Sequence, residues 1–153
     1  MKVFPSLAGL QDLVGHEVGT SDWVDITQDR IDRFAAATGD HQWIHCDPVR
    51  AAAGPYGATV AHGFLTLSLL PLLFETAFRI DDVTMGINYG LNRVRFPAPV
   101  RVGSRVRGRF VLRGFDVLPG MPPGAQLTVE STIEVEGQER PACVAESVSR
   151  RHT

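Results

Sequence analysis

Residues 63–78, GFLTLSLLPLLFETAF, decide the fold. Their apolar side chains run nearly all the way round a helix, which predicts a long central helix wrapped by other structure on most sides. Pro71 has no N–H to donate and crowds the carbonyl four residues back, so the helix is expected to bend near Leu67. The apolar run that contains it, from Thr59 to Phe74, is interrupted by His62 and Pro71 and stops at Glu75. A bilayer needs roughly 20 apolar residues, so this is not a membrane span.

Beyond residue 78 the period changes from helix to strand. Arg93-Val94-Arg95-Phe96 alternates, and Pro97 and Pro99 bracket a bend. In Arg105 to Leu112, Val106, Gly108, Phe110 and Leu112 share one face, and Arg105, Arg107 and Arg109 take the other. From Gln126 to Glu136, Leu127, Val129, Ile133 and Val135 point inward, between Thr128, Glu130, Thr132, Glu134 and Glu136. Cys143 to Val148 reads as a last strand after a turn at Gly137-Gln138-Glu139. One-sided alternation suits an antiparallel sheet with a single buried face, and the apolar helix is what should cover that face. The predicted class is α+β, a curved antiparallel sheet wrapped around a long central apolar helix.

Upstream, His16 to Ile26 reads as a strand. Thr27 is an N-cap candidate with Asp29 in the first turn, and Ile31, Phe34, Ala35 and Thr38 form one stripe. Gly39 ends this helix, and Asp40 to Asp47 has no clear period and reads as a loop. Pro48 opens a short helical turn through Ala53, stopped by Gly54.

The 153 residues are 44% hydrophobic and 21% charged. That is too apolar for disorder and fits one domain over residues 1–153. Fifteen Lys+Arg against 17 Asp+Glu leave a net charge of −2, which argues against a nucleic-acid partner. Cys46 and Cys143 form no CxxC pattern, and no apolar run follows Met1-Lys2, so a cytoplasmic protein without disulfides is expected.

Ionisable groups crowd one place. Asp40, His41, His45, Cys46 and Asp47 lie between a helix end and a proline, and His62 stands on the threshold of the apolar helix. Such a cluster suits acid/base chemistry, and it equally suits a solvated loop in which Asp40 or Asp47 caps the turn at Pro48. His41-Gln42-Trp43-Ile44-His45 resembles the H-E-x-x-H zinc helix, but Gln42 replaces the general base and the stretch follows a helix-stopping glycine, so no metal is expected. Cys46 has no activating partner, and Cys143 falls in a strand pattern. Asp40 and His45 can instead polarise a water on a folded-back loop, provided that something steadies the negative charge of the electrophile. Gly63 is suited to do so, because at a helix start its N–H is unpaired and without a Cβ a carbonyl can come close. The same His62-Gly63 pair also suits a plain tight turn.

These residues are familiar together. Thr38-Gly39-Asp40-x4-His45-x-Asp47-Pro48, followed by Ala61-His62-Gly63-Phe64, resembles the signature of the MaoC-like dehydratases, the (R)-specific enoyl-CoA hydratase family. Asn88 to Val100, NYGLNRVRFPAPV, is similar to the NodN-like branch, and the resemblance extends over roughly Val14 to Val148. It implies the hot-dog fold, a homodimer whose sheets join, and acyl tunnels near the subunit interface. It also implies Asp40 and His45 as the catalytic pair and Gly63 as the oxyanion-hole and substrate-binding amide. The implied reaction is reversible syn addition of water to a trans-2-enoyl-CoA, giving an (R)-3-hydroxyacyl-CoA, with an acyl-CoA thioester as substrate and no metal or other cofactor. Arg93, Arg95, Arg101, Arg105, Arg107 and Arg109 offer cations for the CoA phosphates. Phe64 or Leu65 can lie against the acyl tail, and Trp43 and Tyr56 can line the mouth. Two alternatives remain at this stage: a hot-dog acyl-CoA thioesterase, and a non-catalytic acyl-binding hot-dog subunit.

Overall fold

A computed structural model describes residues 1–153. In chain order the elements are β1 (Lys2–Phe4), a 3-10 turn (Ala8–Leu13), β2 (Glu17–Thr20), β3 (Val24–Asp25), α1 (Gln28–Thr38), α2 (Trp43–Cys46), α3 (Pro48–Ala52), α4 (Gly63–Ser68) and α5 (Leu70–Ala77), followed by β4 (Phe78–Ile80), β5 (Met85–Arg95), β6 (Arg105–Leu118), β7 (Gly124–Val135) and β8 (Cys143–His152). The main sheet has the order β2-β6-β7-β8-β5 with β3 also on β6, and all its pairings are antiparallel. A separate parallel pair, β1 on β4, ties the start of the chain to the end of α5 and was not legible in the sequence.

The expected alternation holds. Every second residue of β7 from Ala125 to Val135 is buried, and Val106, Gly108, Phe110 and Leu112 face the same interior from β6. Into this face α4 and α5 insert Leu65, Leu69, Leu70 and Leu73, and Phe74 stacks on Phe110 with ring centroids 4.2 Å apart. This is the hot-dog layout, a sheet curled over a helical axis.

The helix itself differs from the expectation in where and how it breaks. Instead of a bend near Leu67 it divides at Leu69, two residues further on, whose N–H turns back to Thr66 in a three-residue step, and Pro71 lies in the first turn of the new segment. A proline is cheapest in a first helical turn, where its missing N–H has no intrahelical partner to lose, so the chain restarts the helix around it. As expected, the helix is covered on most sides but not all: Phe64, Ser68, Pro71, Leu72 and Glu75 form an exposed stripe. The strand beside it, β5, is exposed along almost its whole length, with Met85, Ile87, Tyr89 and Leu91 in the open. None of the helices is long and apolar enough to cross a membrane.

In the first half, Thr27 Oγ1 accepts from Arg30 N–H at 3.2 Å, and Gly39 closes α1 at φ 80°, the left-handed geometry that favours glycine. The single strand expected over His16–Ile26 is two short ones, β2 and β3. Between Gly39 and Pro48 the expected loop contains one helical turn, α2, which turns His45 inward.

Leu73 is wholly buried where α5 meets the sheet. Leu73→Ala is expected to lower unfolding free energy by about 2–5 kcal/mol, as for other buried leucines. Chemical denaturation reads this directly, and a loss below about 1 kcal/mol would mean that the helix–sheet contact is not the core described.

Candidate active site

The site is assembled by a short strap of chain, residues 59–62, that leads into α4. Thr59 C=O accepts from Val102 N–H at 2.9 Å and Ala61 N–H donates to Val100 C=O at 2.8 Å, fixing the strap to the bend after β5. On its other side Val60 N–H donates to Ile44 C=O at 3.0 Å, and Val60 C=O accepts from His45 Nδ1 at 2.6 Å. A carbonyl can only accept, so the His45 proton sits on Nδ1 and Nε2 is left with its lone pair. Gln28, at the start of α1, completes the frame: its amide donates to His45 C=O at 2.8 Å and its oxygen accepts from the buried Thr59 hydroxyl.

Three titratable side chains meet here. A carboxylate oxygen of Asp40 and one nitrogen each of His45 and His62 all lie within 4.8 Å of one another. Asp40 is exposed, and the two histidines are buried. The imidazoles are stacked, with centroids 3.7 Å apart and planes at 24°, and Phe34 packs on His62 with centroids 5.0 Å apart. Asp40 and His45, with these atoms within 4.8 Å, can hold one water between them at about 2.8 Å from each, an ordinary hydrogen-bond length. Zinc requires nitrogen at about 2.0–2.1 Å and near the plane of each ring. Two nearly parallel rings 3.7 Å apart do not direct their lone pairs to one such point, so the arrangement fits a water better than an ion.

Gly63 opens α4 directly after this strap, and its N–H carries none of the turn or cap hydrogen bonds. A Cβ at this position would lie 3.0 Å from the Phe96 ring, so glycine is what lets Phe96 close over the helix start. Gly63 and His45 share a cleft of about 360 Å³ with Ile44, Tyr56, Thr66 and Phe96. The structure therefore brings Asp40 and His45 together, as expected, and sets Gly63 in the cleft that His45 lines. Two lining expectations change. Trp43 is not at the mouth but lies under Arg50, 4.4 Å from ring centroid to guanidinium. Leu65 is buried in the core, whereas Phe64 is exposed.

The arginine stripe resolves into two kinds. Arg105 pairs with Glu136, Arg107 with Glu134 at 2.8 Å, and Arg109 with Glu17 at 3.0 Å and Glu134 at 3.4 Å, all across the outer face of the sheet. Such exposed pairs contribute little individually, but they occupy these cations. Arg93, Arg95 and Arg101 form no ion pair; the guanidinium of Arg101 donates to Tyr56 C=O at the cleft. Neither thiol is activated. Burial holds Cys143 up to about 11, and burial followed by the charges of Asp32 and Asp40 raises Cys46. Asp47 does what a solvated-loop reading assigns to it, accepting from Arg50 N–H at 3.0 Å to cap α3.

Gln28, Phe34 and Thr59 escaped sequence reasoning because each serves the site through a contact distant in sequence. His62 was visible as an ionisable residue, but nothing local places it against His45.

Burial is the main reason the His45 imidazole titrates below the ordinary 6.5, with His62 adding to the depression and the Val60 bond and Asp40 opposing it. On acidification the unfolded chain therefore takes up this proton first. The corresponding stability is complete above 6.5 and is lost as pH falls through 6.5 toward the depressed value. Between about pH 7.5 and 5, wild type should lose more unfolding free energy than His45→Gln does; parallel pH profiles for the two proteins would contradict this.

The comparisons agree with the geometry. The family model described as MaoC like domain matches residues 10–135. The chain is 57% identical over 150 residues to 3-hydroxyacyl-thioester dehydratase Z of Mycobacterium tuberculosis, covering 98% of each sequence. It is 50% identical over 147 residues to nodulation protein N of Rhizobium leguminosarum bv. viciae, covering 92% of this chain and 87% of that protein. Among solved structures, the (R)-hydratase from A. caviae involved in PHA biosynthesis superposes with a TM-score of 0.68 at 23% identity, covering 89% of this chain and 94% of the other. A helix-filled sheet, a carboxylate and two imidazoles gathered near the start of α4, and sequence identity along almost the full length point the same way: this chain belongs to the MaoC-like dehydratase family of hot-dog hydro-lyases.

Proposed function

We propose that this hydro-lyase is an (R)-specific enoyl-thioester hydratase, adding water reversibly to a trans-2-enoyl-CoA to give the (R)-3-hydroxyacyl-CoA. The observation that carries this reading is the Asp40 carboxylate lying close to the His45 imidazole, which itself lines a cleft with Gly63. The water sits between Asp40 and His45. Asp40 accepts a hydrogen bond from one O–H of the water, which stays on the oxygen and orients it, and His45 Nε2 takes the other proton as the oxygen bonds to C3. The π electrons move toward the thioester, and the developing enolate oxygen receives the Gly63 N–H at the positive end of α4. Proton delivery from His45 to C2 closes the cycle: C2 gains a hydrogen, C3 a hydroxyl, and the enzyme returns to neutral His45. Because water and proton come from one pair of side chains, both add to the same face. Only a proton and a hydroxyl are exchanged, so the chemistry calls for no metal or redox cofactor.

The relatives support the substrate class, since one of them is named a 3-hydroxyacyl-thioester dehydratase. The acyl chain has an apolar groove available: about 380 Å³ between the helices and the β5–β8 edge, lined by Leu67, Leu70, Phe74, Leu91 and Val148 among others. Arg93, Arg95 and Arg101 are the cations left free for the CoA phosphates. The thioesterase reading is disfavoured because the only acid on α4–α5, Glu75, lies on the exposed stripe, far along the chain from Gly63. The unpaired edge of β5 and the exposed stripe of α4–α5 support a homodimer joined along β5. Two unpaired cysteines suit a reducing cytoplasm.

Crotonyl-CoA tests the reaction. Wild type should bleach the enoyl absorbance without releasing thiol and yield the (R) product; thiol release would indicate hydrolysis, and no change a silent subunit. Asp40→Asn and His45→Ala should each lower kcat by about 10²–10⁴-fold with an unchanged fold; wild-type-like turnover in either would make the pair structural. In light scattering the protein should have the mass of two chains, and Tyr89→Asp on the β5 edge should shift it toward one. A wild-type monomer would overturn the dimer.

A further inference from the structure

His62 takes no part in the steps above, yet the three parts of the site all pass through it. The loop that carries Asp40 is loosely tied. Asp40 N–H reaches Thr38 Oγ1 only at 3.5 Å, and Gln42 N–H reaches Asp40 Oδ1 only at 3.4 Å. These are long, weak contacts. The short tie is from His62 Nε2, which donates to Asp40 C=O at 2.9 Å. The same imidazole covers one face of the His45 ring, and Phe34 packs on it in turn. Its carbonyl accepts from Thr66 N–H at 3.1 Å and starts α4, so the next residue in the chain is Gly63.

This placement carries a penalty. His62 is 2% exposed, and its Nδ1 is buried without a hydrogen-bond partner. A buried polar atom without a partner is unfavourable, and a phenyl ring would give the same flat plate without one. What phenylalanine cannot supply is the Nε2–H that holds the Asp40 carbonyl. With Nε2–H donating to the Asp40 carbonyl and no hydrogen-bond partner at Nδ1, His62 acts as a single-donor strut.

We propose that His62 is a positioning residue: by tying the Asp40 backbone and backing the His45 ring, it sets the carboxylate, the imidazole and the Gly63 amide at their working separations. This rests on the reading of Asp40 and His45 as the reacting pair. Displacing a catalytic group by about 1 Å can cost about 10²-fold in rate. His62→Phe keeps the plate and removes the tie; His62→Gln places an amide N–H close to the position of Nε2 and keeps it.

Steady-state kinetics on crotonyl-CoA, with melting curves, separate the outcomes. His62→Phe should lose about 10–100-fold in kcat with KM within about threefold, because ground-state binding is untouched. His62→Gln should recover to within about fivefold of wild type. Wild-type kcat in His62→Phe overturns the proposal, and so does an equal loss in both folded variants. If His62→Phe does not fold, His62→Gln alone decides: a folded, active protein supports the tie, whereas a folded inactive one, or failure of both to fold, makes His62 a core residue only. Asp40→Asn is run beside them. If it keeps wild-type turnover the assignment of the reacting pair has failed, and if it is dead while His62→Phe is fully active only the positioning role has.

Discussion

Val60 is held from both sides of one peptide segment, its N–H by Ile44 C=O and its C=O by His45 Nδ1, and the geometry of the site follows from that double grip. The bond to the imidazole selects the tautomer, leaving the bare nitrogen on the far side of the ring. The bond to α2 brings a single helical turn against the strap, which carries His45 inward from an otherwise solvated segment. Because the strap runs straight into α4, the same few residues that orient the His45 ring also deliver the Gly63 amide. Preorganisation of this kind places donors and acceptors before substrate arrives, so no solvent reorganisation is needed at the moment of reaction.

The scaffold behind the strap serves the same end. The sheet holds the helical axis through Leu73, Phe74 and Phe110. Dividing that axis at Leu69 keeps α4 short, with its open amide end at the cleft, while Pro71 is accommodated in the first turn of the next segment. The side of the helices that the sheet does not reach lies next to the exposed β5, so Phe64, Leu72, Met85, Ile87, Tyr89 and Leu91 leave apolar surface on one flank. On the opposite, outer face of the sheet, arginines and glutamates alternate across strands and pair with one another. That pattern gives a well-solvated exterior and leaves few cations over for a ligand.

What the sequence disclosed and what it withheld divide along physical lines. The strands β6 and β7 were readable because one face is buried, so a period of two appears directly in Val106 to Leu112 and Leu127 to Val135. The Thr27 and Gly39 caps of α1 were equally plain, since both depend on local backbone chemistry. Asp40, His45 and Gly63 stood out through ionisable density and through the family resemblance. The β5 strand was underestimated because its exposed faces and its glycines, Gly86 and Gly90, blur any alternation. The β1–β4 pair joins residues far apart in the chain, and α2 is a single turn tied from outside by Val60 and Gln28. The tie from His62 to Asp40 C=O and the bridge through Gln28 belong to the same category: they are tertiary hydrogen bonds that no local pattern announces.

The mechanism depends most on a neutral His45 that keeps its proton on Nδ1 and offers Nε2 to water. Nitrogen-15 NMR of the histidine rings, with His45→Gln used to assign the signal, reads that state directly in the folded protein at neutral pH. The expected result is a neutral ring with Nδ1 protonated and Nε2 unprotonated. A signal from the Nε2–H tautomer, or from an imidazolium at that pH, would contradict it.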